Sequence, residues 1–135
     1  MKKILALILM AATLLLLCSC GMTADKLELR LEAMEEDEEA FYVAMDKDDL
    51  ADEKEEILED RQFQMKGDIE KGYFVQNKKK ITDFAYILVY EKTSDAKNAE
   101  KFLTEDNETD PDFAAKRKGK ILFYGDADLI STILG

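Results

Sequence analysis

Residues 72–90 read Gly72-Tyr73-Phe74-Val75-Gln76-Asn77-Lys78-Lys79-Lys80-Ile81-Thr82-Asp83-Phe84-Ala85-Tyr86-Ile87-Leu88-Val89-Tyr90. Two runs of β-branched and aromatic residues flank a polar Asn77–Lys80 turn, so the stretch predicts a β-hairpin with strands over Gly72–Gln76 and Ile81–Glu91. From Asp83 to Tyr90 apolar side chains occupy both alternating positions. A strand with only one covered face would alternate apolar and polar, so this one is expected in mid-sheet with structure packed on each side.

The hairpin sets the frame for the rest of the chain. On its C-terminal side, Thr93 or Ser94 is placed to cap a helix that carries Ala96, Ala99 and Leu103 on one face. Thr104 to Asp112, with Pro111, reads as a polar loop, Lys120–Tyr124 as a last strand broken by Gly125 and Asp126, and Leu129, Ile130, Ile133 and Leu134 as a short amphipathic helix. On the N-terminal side, Leu27, Leu31 and Met34 recur at helical spacing behind an Asp25/Glu28 capping pair, predicting a helix over Asp25–Glu36. Phe41–Met45 reads as a short strand. Asp48 or Asp49 then caps a helix bearing Leu50, Ile57 and Leu58 that ends near Gln62. With the flanking helices set aside, the order is strand, helix, strand, strand, helix, strand. That order predicts an α+β domain over residues 25–135 with a small antiparallel sheet of about four strands in ferredoxin-like split-βαβ order.

Such an arrangement would bring Lys78–Lys80 and Lys116-Arg117-Lys118 to one sheet edge, with Asp46, Asp48 and Asp49 nearby. Those charges are expected either to compensate one another as solvated turns or to meet a partner. Phe84, Tyr86, Leu88 and Tyr90 share one strand face, which serves either as core beneath the flanking helices or as an aromatic groove for a peptide, glycan or other ligand. An RNA-stacking use of the same face is disfavoured by charge. The whole chain carries −11, and Asp25–Asp60 alone holds 17 acidic and 4 basic residues. No nucleic-acid partner is therefore expected.

Catalytic chemistry finds few carriers. There is no His and no Trp, which removes the commonest general base and the commonest zinc ligand. Ser19, Ser94 and Ser131 lack a nucleophile-elbow context, and the six glycines form no phosphate-binding loop. Calcium-loop grammar fails in both acidic segments: from Asp46 the turn glycine is Ala51 and the bidentate glutamate Ile57, and from Asp106 these positions hold Pro111 and Arg117. No cofactor and no specific metal site is expected. Weak divalent-cation binding by the acidic N-terminal part and a hydrolase that uses paired carboxylates stand as the alternatives to a non-enzymatic binding module.

The destination of the protein is written at its start. Lys2-Lys3 precede an apolar run from Ile4 to Leu17, and Leu17-Cys18-Ser19-Cys20-Gly21 follows. The run is shorter than the roughly 20 residues that span a bilayer, and its charged start and small-residue end are those of a secretory signal. The segment resembles the bacterial lipoprotein signal, in which a leucine lies three positions before the modified cysteine with small residues between. Cys18 stands where that family more often carries Ala, Ser, Thr, Val or Ile. The resemblance implies removal of residues 1–19 by cleavage between Ser19 and Cys20. It further implies a diacylglyceryl thioether on Cys20, with residues 20–24 as a short tether. Two acyl chains are enough for stable anchoring in the lipid bilayer.

Cleavage would remove two of 19 basic residues and none of the 30 acidic ones, leaving a mature chain of about 115 residues and net charge −13. That is the size of one domain. The expected protein is a lipid-anchored module on the extracytoplasmic side of the cell membrane. Its partner would be an extracellular protein or cell-envelope ligand.

Overall fold

The computed structural model describes residues 22–58 and 65–135. Lipidation at Cys20 and the expected end of the second helix near Gln62 both lie outside the described residues. The elements run α1 (Ala24–Glu36), β1 (Ala40–Ala44), α2 (Lys47–Leu58), β2 (Ile69–Asn77), β3 (Phe84–Tyr90), α3 (Thr93–Asp106), β4 (Phe113–Lys118), β5 (Ile121–Asp126) and α4 (Ala127–Leu134). Among the described residues, no helix is long and apolar enough to cross a membrane.

The sheet is α+β in class and antiparallel throughout, with neighbours in the order β1-β2-β3-β5-β4. The central hairpin is present, with Gln76 opposite Phe84 and Gly72 opposite Leu88. Asn77 closes its turn by accepting at Oδ1 from the Lys79 and Lys80 backbone N–H groups at 2.9 and 3.3 Å. Two features depart from expectation. There are five strands rather than about four, and the sheet begins as the meander β1-β2-β3, with β1 at an edge. One split βαβ unit is present in the second half of the chain: β3 and β4 run parallel on either side of β5, joined by α3.

The extra strand, β4, reads Phe-Ala-Ala-Lys-Arg-Lys. It has no β-branched residue and half of it is basic, so it carries no strand pattern. As an edge strand it has only one neighbour, and its charges discourage pairing with another chain. The expected break at Gly125 is also corrected, because β5 runs on to Asp126. Gly125 sits at φ +133° opposite Ala85 and Ala114, where a Cβ would come within 2.6 Å of the Phe84 carbonyl oxygen. It permits close approach of the two strands rather than ending one.

Three helix caps move by a few residues. Thr23, not Asp25, caps α1 by accepting from Lys26 N. Asp46 precedes α2 and exchanges side chain–backbone hydrogen bonds with Asp49, a reciprocal box that satisfies two donors of the first turn. Lys92 precedes α3 without a side-chain cap, so neither Thr93 nor Ser94 has that role.

Both sheet faces are covered, as the apolar run of β3 requires. One face packs Tyr73, Val75, Ala85, Ile87, Ile121 and Phe123 against Leu27, Leu31 and Met34 of α1 and Leu129, Ile130 and Ile133 of α4, with Met22 and Ala24 half-buried alongside. Arg30 ties these helices together by donating to the Thr132 and Ile133 carbonyls, the exposed acceptors at the end of α4. On the opposite face, Leu88, Tyr90, Leu122 and Tyr124 lie under Ala96, Ala99, Phe102 and Leu103 of α3, with Leu50 of α2 beside them. Burying each of the larger side chains contributes about 1.5–3 kcal/mol before chain entropy is charged against it.

Candidate functional site

The strand face Phe84, Tyr86, Leu88, Tyr90 is divided between both of its expected uses. Leu88 and Tyr90 are fully buried beneath α3, Tyr86 is half-buried, and Phe84 is 43% exposed. The cause is the reach of α3: its apolar side chains end at Leu103, and the chain then turns away through 107–112 to begin β4. A groove of about 640 Å3 opens there. That volume lies inside the range of about 300–1,000 Å3 usual for ligand sites.

Aromatic rings form the floor. Tyr86 stacks on Tyr124 with ring centroids 5.4 Å apart, Phe84 stands edge-on to Tyr86 at 6.0 Å, and Phe113 and Phe102 close the side toward β4 and α3. The row continues past the groove to Phe74, 5.5 Å from Tyr86, and to Val43, which faces Phe74 across the β1–β2 pair and is 56% exposed. One cross-strand register thus aligns Val43, Phe74, Tyr86 and Tyr124 over four strands.

The rim is acidic. Glu53, Asp106, Asp110, Asp112 and Asp126 line the groove, and among the described residues no Lys or Arg does. Three of these acids have structural partners. Asp126 caps α4 through Leu129 N at 2.8 Å, Asp110 accepts from Asp112 N at 3.0 Å, and Glu53 accepts the Tyr124 hydroxyl. The phenol of Tyr124 is pushed far above its ordinary value, first by burial and then by the adjacent Glu53 carboxylate. It therefore remains a neutral donor at every physiological pH, and the charge of the site resides on its rim.

The charged clusters singled out in the sequence do not converge. Lys78–Lys80 sit at the hairpin end of the sheet beside Phe84, whereas Lys118 pairs with Ile121 at the level of Val89, at the opposite end. Asp46, Asp48 and Asp49 open α2 after edge strand β1, and Lys116–Lys118 lie on the other edge, β4. The expected joint patch of these groups is therefore corrected: the fifth strand and the meander start separate them. Among the described residues no group of three or more carboxylates is gathered to hold a metal ion.

Tyr124, Phe102 and Phe113 were not legible as groove residues from the sequence, because the first two fall in a strand and a helix far apart in the chain and Phe113 lies just past the Thr104–Asp112 loop in no recognisable element. Nor was the role of Asp95 legible. This buried carboxylate in the first turn of α3 accepts from Lys66 N at 3.0 Å and Gly67 N at 2.9 Å, fastening the approach to β2 onto the helix. Its position just inside a helix start was the available signal, but it resembles ordinary capping. Compared with known proteins, the chain matches no protein-family model, no curated protein sequence and no solved structure.

Proposed function

We propose that this protein is a lipid-anchored, non-enzymatic binding module on the extracytoplasmic side of the cell membrane, and that the aromatic groove is its binding site. The Phe84–Tyr86 pair, left open beside the buried Tyr124 ring, carries this reading, because large rings uncovered on a sheet otherwise covered on both faces hold apolar surface that a ligand would bury. The Leu17–Cys20 segment supports the anchor, and the lack of histidine supports recognition without acid–base chemistry.

Two experiments test the halves of the proposal separately. Cys20→Ala should release the protein from the membrane fraction or leave its precursor uncleaved, and palmitate label persisting on that variant would remove the anchor assignment. For the groove, ring-proton NMR signals of Phe84, Tyr86 and Phe113 should shift together when peptide mixtures are added. Shifts confined to other surfaces would place the binding site elsewhere.

A further inference from the structure

We infer that the groove takes an extended segment of a partner polypeptide that carries lysine or arginine between apolar residues. This inference rests on the binding-module reading and adds the chemistry of the ligand. Two independent observations lead to it. The first is charge complementarity: among the described residues the side-chain carboxylates of Asp106 and Asp112 stand at the rim with no hydrogen-bond or ion-pair partner, and no Lys or Arg lines the groove to answer them. A cation entering between these carboxylates also meets aromatic faces, to which ammonium and guanidinium groups are attracted.

The second observation is length. The open part of the row, from Val43 through Phe74 to Tyr86, crosses two strand spacings, roughly 10 Å at about 4.8 Å each. A small organic cation would cover one ring of that row. An extended chain rising about 3.3 Å per residue covers it with four or five residues, alternate side chains lying on the rings.

The test titrates the detergent-solubilised full-length protein with three blocked pentapeptides alternating phenylalanine with lysine, glutamine or glutamate, and with a free diamine. The lysine peptide should bind about tenfold more tightly than the glutamine peptide, the product of two exposed ion pairs each contributing about threefold, within their usual range. The glutamate peptide should bind more weakly than either, and the advantage of lysine should shrink as salt is raised. The isosteric double variant Asp106→Asn/Asp112→Asn should reduce the lysine peptide to the affinity of the glutamine peptide, with circular dichroism unchanged. Equal binding of the lysine and glutamine peptides, both weakened by Phe84→Ser, would overturn the cationic specificity while leaving the groove as a site. Binding of the diamine as tight as that of the lysine peptide would overturn the polypeptide ligand. Binding insensitive to Phe84→Ser, or no binding of any peptide, would overturn this inference and count against the groove itself.

Discussion

Raising the pH should unfold this protein through three of its five tyrosines. Tyr73, Tyr90 and Tyr124 are 2%, 0% and 7% exposed. Burial is the largest cause that lifts each phenol above its ordinary value, and nearby carboxylates add to it: Glu28 beside Tyr73, Asp95 and Glu53 near Tyr90, and Glu53 beside Tyr124. In the unfolded chain these phenols ionise near pH 10, whereas in the fold they keep their protons. Stability is therefore complete below about pH 10 and falls above it, because only the unfolded state sheds protons there. Each phenol removes about 1.4 kcal/mol per pH unit, and the three together about 4 kcal/mol. By about pH 12 the accumulated loss is about 8 kcal/mol, within the roughly 5–15 kcal/mol that holds a typical domain folded. Tyrosinate absorbance and far-ultraviolet circular dichroism, followed along one alkaline titration, provide the assay. Tyr73, Tyr90 and Tyr124 should ionise only as the dichroism collapses. Tyr90→Phe isolates one contribution, because that hydroxyl has no hydrogen-bond partner among the described residues, and the slope should fall by about a third. Ionisation of Tyr73, Tyr90 and Tyr124 near pH 10 with the dichroism intact would show that burial does not hold their protons in the fold.

Two substitutions probe the frame around the groove. Asp95→Ala strands the Lys66 and Gly67 N–H groups that its carboxylate serves, and should cost about 3 kcal/mol in urea denaturation; a loss below about 0.5 kcal/mol would show that the approach to β2 does not depend on it. Gly125→Ala drives a Cβ to 2.6 Å from the Phe84 carbonyl oxygen at φ +133°, and should lower stability by about 2 kcal/mol or more. An unchanged Tm would mean that β3 and β5 can part at no cost.

How much was legible in the sequence varied with how local the signal was. Asn77 announced its turn because its own side chain closes it, and the run Ala85–Tyr90 announced burial on both faces because every side chain in it is apolar. Leu27, Leu31 and Met34 marked the buried stripe of α1 by spacing alone. β4 stayed hidden because Lys116, Arg117 and Lys118 suit an edge strand and leave no alternation to read. Without β4 the order of elements reads as a four-stranded ferredoxin-like sheet, which brings Lys78–Lys80 beside Lys116–Lys118. The same missing strand hid the part of Phe113, which enters the groove from β4.

Hydrophobic periodicity and turn chemistry act between residues close along the chain, so the class of the fold, the central hairpin and the apolar stripes of α1, α3 and α4 could be read from the amino-acid order alone. Only the tertiary structure decided which part of the aromatic face is core and which is groove. Phe84 and Leu88 look equivalent along β3, and what separates them is where α3 stops, more than ten residues further on. The acidic rim has the same origin: Glu53, Asp106 and Asp112 belong to three separate segments, and their shared field exists only once the sheet has brought those segments together.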